Sequence, residues 1–70
     1  MVSYNKLWKK LIDLKINKSE LKEATGIGST TITKLTNGEL VSMEVMMKIC
    51  IYLRCDIGDI MTFTFNEEVK

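Results

Sequence analysis

The side chains of this 70-residue chain that could take part in chemistry are lysines, hydroxyls and carboxylates, because the sequence contains no histidine. Without histidine it has no Ser-His-Asp or Cys-His catalytic arrangement and no histidine-containing zinc site. Cys50 and Cys55 have no companion cysteine or histidine, so we expect neither a metal nor a cofactor. Asp56 and Asp59 are better explained as capping groups than as an acid–base pair. These residues favour a binding protein over an enzyme.

The charges divide unevenly along the chain behind a net charge of +1. Residues 1–38 carry seven lysines and three carboxylates, a net +4, whereas residues 39–70 carry three cations and six carboxylates, a net −3. A basic half beside an acidic half indicates that one end of the chain meets an anion. A random scatter of surface charge is an equal alternative on this evidence alone.

Length and composition predict a single folded domain over residues 1–70. Hydrophobic residues make up 46% of the chain and charged residues 27%, which is typical of a folded globule and not of a disordered tail. The longest apolar stretch, residues 49–53, is far shorter than the roughly 18 residues that predict a membrane span. The first six residues lack the apolar core of a signal peptide, so we expect a cytoplasmic protein without membrane contact.

Apolar spacing and capping residues predict two short helices in the first third of the chain. The first helix has an apolar face formed at three- and four-residue steps by Tyr4, Leu7, Trp8, Leu11 and Leu14. Asn17 and Glu20 are spaced as a helix N-cap and its reciprocal partner, which predicts the start of the second helix. Gly26 supplies the left-handed residue that ends it.

The segment Ser29–Thr36 is ambiguous, because its β-branched residues favour a strand and Asn37-Gly38 could follow as a hairpin turn. Ile32 and Leu35, however, are three residues apart, a helical spacing that would place them on opposite faces of a strand. Residues 39–42 are also too short and too poorly alternating to form a return strand. We therefore predict a third helix over Ser29–Thr36.

Two more helices are predicted in the second half. Ser42 begins the fourth as its N-cap, with Glu44 in the first turn, where a carboxylate stabilises the helix dipole. Its apolar face is formed by Val45, Met46, Ile49, Cys50 and Leu53. Asp56 and Asp59 then bracket a short fifth helix over residues 57–60.

Strict alternation over residues 61–65 predicts an extended tail after the helices, with residues 66–70 frayed. A strand needs partners for its backbone groups, and residues 1–4 are the internal candidate, because Val2 and Tyr4 also alternate. If the two termini pair, they form a small ribbon with an outer edge open to a second copy. Otherwise the tail pairs across a two-fold axis or packs irregularly on the core.

The pattern of helix, short turn and helix resembles the helix-turn-helix of the Cro/cI-type (Xre) family of repressors. The resemblance rests on Asn17-Lys18-Ser19-Glu20-Leu21, Thr25-Gly26-Ile27, Ile32, Leu35 and Asn37-Gly38-Glu39. Val41-Ser42-Met43-Glu44, Lys48-Ile49-Cys50 and residues 53–60 are similar to the fourth and fifth helices of that family. The resemblance covers about residues 4–61. It implies an all-α, five-helix, lambda-repressor-like DNA-binding domain with the helix at about Ser29–Thr36 in the major groove.

The sequence departs from the family pattern at two positions. Lys22 stands where the family usually has a small residue, because the paired helices approach closely there. We expect the lysine stem to lie along this contact with its charge in solvent. Gly28 stands where the family often places Ser or Thr as the N-cap of the recognition helix, so either Gly28 or Ser29 caps that helix.

The resemblance also implies which residues contact DNA. The base-contacting positions fall on Ser29, Thr30 and Lys34, with Thr31 and Thr33 beside them. Serine and threonine do not distinguish bases sharply, so we expect modest specificity concentrated at Lys34, which can bind guanine. The phosphate-contacting positions fall on Asn17, Lys18, Gly28 and Asn37, with Lys6, Lys9 and Lys10 as weaker candidates.

The resemblance implies a non-enzymatic transcriptional regulator, most simply a repressor that occupies operator DNA and blocks polymerase. Its partner is double-stranded DNA. A homodimer is expected, because one domain makes few phosphate contacts and the family often binds paired half-sites. Two alternatives stay open: the antitoxin of a toxin–antitoxin pair, and a protein-interaction module that has lost DNA binding.

Overall fold

The computed structural model describes residues 1–65, and the fraying predicted for residues 66–70 lies outside the described part. Within residues 1–65 the chain forms four α-helices, one turn of 3-10 helix and a two-stranded antiparallel sheet. The elements in chain order are β1 (Val2–Ser3), α1 (Asn5–Leu14), α2 (Lys18–Thr25), α3 (Ser29–Thr36), α4 (Met43–Leu53), the 3-10 turn (Ile57–Asp59) and β2 (Thr62–Phe63). Ser29–Thr36, whose β-branched residues favour a strand, is therefore a helix, as the spacing of Ile32 and Leu35 predicts.

The starts of α2 and α4 follow from side chains that satisfy the first backbone amides. The Oδ1 atom of Asn17 accepts from the Glu20 N–H at 2.8 Å, and the Glu20 carboxylate accepts from the Asn17 N–H at 3.1 Å, so the predicted capping box of α2 is confirmed. At α4, the Ser42 hydroxyl accepts from the Val45 N–H at 3.2 Å, which confirms Ser42 as the N-cap. These caps fix where α2 and α4 begin.

The prediction of a fifth α-helix is wrong, because Ile57–Asp59 form a single 3-10 turn. The two predicted capping aspartates form a reciprocal capping box around this single turn. The Asp56 carboxylate accepts from the Ile57 N–H at 2.8 Å, and the Asp59 carboxylate accepts from the Asp56 N–H at 3.0 Å. Ile60 is fully buried with φ −125° and ψ −10°, so the chain leaves helical geometry at Ile60 and continues into β2.

The chain is mostly helical, consistent with the predicted all-α fold, and its two termini add a small sheet. Val2 pairs with Phe63 and Ser3 with Thr62, and the Thr64 N–H donates to the Met1 carbonyl at 2.9 Å. Of the alternatives predicted for the tail, internal pairing of the termini is therefore the one found. The ribbon satisfies backbone groups that an isolated tail would leave to solvent.

One hydrophobic core joins all four helices, the turn after α2 and the 3-10 turn. Its buried members are Tyr4, Leu7, Leu11, Leu21, Ile27, Leu35, Met46, Ile49, Leu53 and Ile60. Leu14 was predicted to join them but is half exposed, and Trp8 is partly buried. Lys15 takes a left-handed conformation with φ 59° directly after Leu14, and Ile16 packs against the core instead.

A hydrogen bond from Tyr4 ties the start of α1 to the loop that follows α3. The Tyr4 side chain is 3% exposed, and its hydroxyl donates to the Glu39 carbonyl at 2.7 Å. Burial raises the pKa of Tyr4, an effect that a backbone hydrogen bond at Val41 partly offsets. The ring packs in the core while the hydroxyl positions the chain directly after the third helix.

Replacing Tyr4 with Phe should lower the free energy of unfolding by about 1 kcal/mol, because the Glu39 carbonyl loses its donor while the ring remains. Urea unfolding measures this difference. Since the pKa of Tyr4 is raised on folding, its contribution should be complete below about pH 10 and lost as pH rises through the raised value. Equal alkaline sensitivity of the wild type and Tyr4→Phe would show that another group titrates.

The fold should need neither a metal nor a disulfide, because Cys50 and Cys55 are both free, partly buried thiols packed against the core. A chelator or a thiol reductant should therefore leave the thermal unfolding midpoint unchanged. Differential scanning calorimetry with and without each reagent measures this. A large drop with the reductant would assign the cysteines a structural bond, and a drop with the chelator would assign them a metal.

Candidate nucleic-acid interface

The turn between α2 and α3 sets the geometry of the site. Gly26 ends α2 in the left-handed region with φ 74°, and its N–H donates to the Lys22 carbonyl. Ile27 follows as a buried core residue, and Gly28 is the N-cap from which α3 begins at Ser29. The start of α3, which the sequence leaves uncertain by one residue, is therefore at Ser29. Burial of Ile27 between the two glycines fixes the angle at which α3 leaves α2.

Helix α3 is buried on one side and open to solvent on the other. Leu35 is fully buried, and Ile32 and Thr31 are partly buried on the same side. The opposite side carries exposed residues at adjacent positions of the helical surface, namely Ser29, Thr30, Thr33, Lys34 and Thr36. Four of the five predicted base-contacting residues therefore share one exposed face, and Thr31 lies at its partly buried margin.

Two hydroxyls of this face already donate hydrogen bonds within α3. The Thr33 hydroxyl donates to the Ser29 carbonyl at 3.1 Å, and the Thr36 hydroxyl donates to the Ile32 carbonyl at 2.9 Å. Each has therefore used its proton within the helix and keeps lone pairs and a methyl group for outside contacts. Thr33 can accept a hydrogen bond or touch a thymine methyl.

Two lysines of α2 lie beside α3, one towards each of its ends. The Lys18 ammonium donates to the Thr36 hydroxyl at 3.0 Å and lies 4.5 Å from the centroid of the Trp8 ring. The Lys22 ammonium donates to the Ser29 hydroxyl at 2.8 Å. Both lysines are exposed and line the groove between the two helices, together with Ser29 and Thr33. The Lys22 charge is exposed to solvent, as expected, but its hydrogen bond to Ser29 was not predicted from the sequence.

The other predicted phosphate-contacting residues lie at helix ends. The oxygen of the Asn17 side chain and the Asn17 N–H are engaged in the capping box of α2, which leaves its side-chain amide group to donate outwards. Gly28 is exposed and brings no side chain to the cap, so the first amides of α3 have no side-chain acceptor. Asn37 is exposed, and its side chain donates to the Glu39 carboxylate at 3.4 Å. That carboxylate disfavours a phosphate beside Asn37.

The lysines of α1 are not gathered with the others. The Lys6 ammonium donates to the Gly58 carbonyl in the 3-10 turn at 3.2 Å. Lys6, Lys9 and Lys10 line a shallow groove that also includes Asp13 and Asp59. These three lysines therefore lie on a surface of mixed charge by the 3-10 turn, whereas Lys18, Lys22 and Lys34 belong to α2 and α3.

The described residues offer little for other chemistry. Among residues 1–65, no group of three or more His, Cys, Asp or Glu side chains is placed to hold a metal ion. Burial raises the pKa of the Cys50 thiol, and neighbouring Cys55 and carboxylates add to the effect, so the thiol favours its neutral, less nucleophilic form. No helix in this part of the chain is long and apolar enough to cross a membrane.

Two helices joined by a short turn, with the second presenting a polar face, define a helix-turn-helix domain. The family model described as a Cro/C1-type HTH DNA-binding domain matches residues 6–66, and the chain belongs to this family. Among solved structures the chain is similar to the Form II crystal structure of the transcriptional regulator VanUg. The TM-score is 0.85 at 54% identity over 87% of this chain and 81% of that chain. No curated protein matches.

Sequence reasoning missed the contacts that α2 makes with α3. Lys18 and Lys22 are four residues apart, which places them on one side of a helix, and this spacing was the available signal. It could not reveal that each ammonium meets a hydroxyl of α3, because those partners depend on how the two helices cross. Lys22 was noted only as a departure from the family pattern.

Proposed function

We propose that the protein is a sequence-specific transcriptional regulator that binds double-stranded DNA with α3 in the major groove. The observation that carries this proposal is the exposed hydroxyl and lysine face of α3 flanked by two lysines of α2. In this docking geometry the second helix meets base edges while the first crosses the phosphate backbone. Membership of the Cro/C1-type family and the similarity to the regulator VanUg support it.

We assign different roles to the residues of the site. Ser29, Thr30, Thr33 and Lys34 approach base edges in this docking, because they share the exposed face of α3, and Thr31 lies at the margin of that face. Lys18 lies in the first turn of α2, where ammonium charge and the first backbone amides both favour a phosphate. The Asn17 side-chain amide extends this contact at the start of α2, whereas the amides after Gly28 lie at the opposite end of α3 and suit a separate phosphate.

Repression by occupation is the simplest activity for such a domain. A protein seated on an operator excludes polymerase from the same DNA and needs no further chemistry. A gel shift against random duplex at low salt tests the proposal first, because a protein-interaction module that has lost DNA binding would show no shift. Occupation of a selected site should then reduce transcription from a promoter that overlaps it.

Alanine replacements of Lys34 and Lys18 should affect DNA binding in different ways. Lys34→Ala should cost about 1–3 kcal/mol of binding free energy on the best site and remove preference at one base pair. Lys18→Ala should weaken all sequences alike and reduce the slope of log affinity against log salt by about one unit. Quantitative binding titrations at several salt concentrations measure both effects. Identical behaviour of the two variants would contradict the proposed docking.

We further propose that two copies associate through the ribbon formed by the termini. Strands of two residues offer few backbone hydrogen bonds, so apolar side chains would supply most of the contact. The exposed side chains there are Met1, Leu40, Phe63 and Phe65, which we call the ribbon patch. Met1, Leu40 and Phe63 line a groove with Lys34 of α3. A dimer of this kind would bind paired half-sites, which in helix-turn-helix docking lie about 34 Å apart, one turn of DNA.

Replacing Phe63 with Ser should shift the protein towards monomer, because Phe63 belongs to the ribbon patch and is 60% exposed. Sedimentation analysis, alone and on DNA carrying two half-sites, measures the effect. Ile51→Ser is the matched control, since Ile51 is 69% exposed on α4. Loss of the dimer with Ile51→Ser alone would move the interface to α4. A wild-type chain that stays monomeric at high concentration and on DNA would refute association.

A further inference from the structure

The hydrogen bond between Lys22 and Ser29 places an ammonium group at the start of the recognition helix. The two residues are seven positions apart, on either side of the turn through Gly26, and their side chains meet at 2.8 Å. Both are exposed. Ser29 is the first residue of α3, and the N-terminal residues of this helix are the ones that meet base edges in helix-turn-helix docking.

We propose that Lys22 and Ser29 act together as a two-donor reader of one guanine in the major groove, an inference that rests on the proposed DNA binding. A serine hydroxyl has one proton and two acceptor positions, so alone it bonds to donors and acceptors alike. The ammonium of lysine has three protons and no acceptor. Because Lys22 donates into the Ser29 oxygen, the serine proton points away from the ammonium, and two ammonium protons remain beside it.

The resulting pair of donors matches guanine better than it matches the other bases. Guanine presents two neighbouring acceptors, N7 and O6, on its major-groove edge. Adenine presents an acceptor beside an amino donor, and cytosine presents an amino donor. Both amino groups disfavour the contact, because a donor cannot accept from the serine or the ammonium and its partial positive charge is repelled by the ammonium. Thymine offers a single acceptor next to a methyl group. The lysine thus converts an undiscriminating hydroxyl into one arm of a two-pronged contact.

The geometry distinguishes Lys22 from the other lysine of α2. Lys18 is held at the far end of α3, by Thr36 and the Trp8 ring, where it suits a phosphate. Lys22 is held at the near end, by the residue at which α3 begins. Specificity was predicted to lie at the base pair that Lys34 contacts, and the proposal adds a second base pair that one residue from each helix contacts. This second contact compensates for the absence of arginine, asparagine and glutamine from α3.

The test is selection of bound sequences from a random duplex pool, followed by titrations with each of the four bases at the selected positions. The variants are Lys22→Met, which keeps the length of the stem, Ser29→Ala, and the double variant. Lys48→Met is the matched control, since Lys48 is an exposed lysine on α4. Circular dichroism confirms that each variant is folded.

We expect the wild type to require guanine at one position that both single variants relax, with a loss of discrimination of about 5- to 150-fold. The double variant should lose no more than the worse single variant, because the two donors act on one base. Lys48→Met should leave the preference intact. If Lys22→Met instead weakens all sequences equally and lowers the salt slope, Lys22 contacts phosphate and the inference is wrong. If the wild type binds no duplex, the proposed function itself fails.

Discussion

The burial of Ile27 in the turn between α2 and α3 is the constraint on which the rest of the site depends. Ile27 is 6% exposed, and burial of a side chain of this size contributes up to about 1.5–3 kcal/mol, which favours the geometry of the turn that buries it. Gly26 makes that geometry accessible, because its left-handed conformation costs a residue with a Cβ atom roughly 1–2 kcal/mol. Ile27 therefore acts as an anchor, and both ammonium contacts between α2 and α3 follow from the crossing that it fixes.

Helix α4 and the loop after α3 stabilise the crossing of α2 and α3. Helix α2 packs against both α3 and α4, and the fully buried Leu21, Leu35 and Ile49 belong to one core. The loop that leaves α3 is held by the Tyr4 hydroxyl on Glu39, and the paired termini lie next to the same loop. A small domain buries a limited share of its surface, so such local ties matter more than they would in a larger core.

The sequence predicted the helices well where a cap and an apolar period agree. Asn17 with Glu20 and Ser42 with Glu44 mark helix starts that the structure confirms, and the three-residue step from Ile32 to Leu35 outweighed strand propensity. The fifth helix was wrong because two aspartates bracket a 3-10 turn as readily as a helix. Pairing of the termini could only be offered as one alternative, since nothing local in residues 1–4 or 61–65 states which strand lies beside which.

The family resemblance indicated the residues of the candidate site but not the contacts between them. It implied Ser29, Thr30, Thr33 and Lys34 as base-contacting residues, and these four lie on one exposed face of α3. The partners of Lys18 and Lys22 depend on the distance between helices, which residue types alone do not give. The net charge of +1 likewise hides the position of the cations, because affinity for phosphate depends on local charge more than on the total.

In the proposed docking, α3 and α2 contribute different parts of the contact with DNA. The short hydroxyl side chains of α3 would allow the helix backbone to come close to base edges, while the cations are carried on long stems from α2. Ordering such a stem costs up to about 2 kcal/mol of side-chain entropy. Lys18 and Lys22 are already held by hydroxyls of α3, and Lys18 also by the Trp8 ring. Part of the ordering is therefore complete in the free protein, and because an ammonium has three protons, these contacts need not break in the proposed complex with DNA.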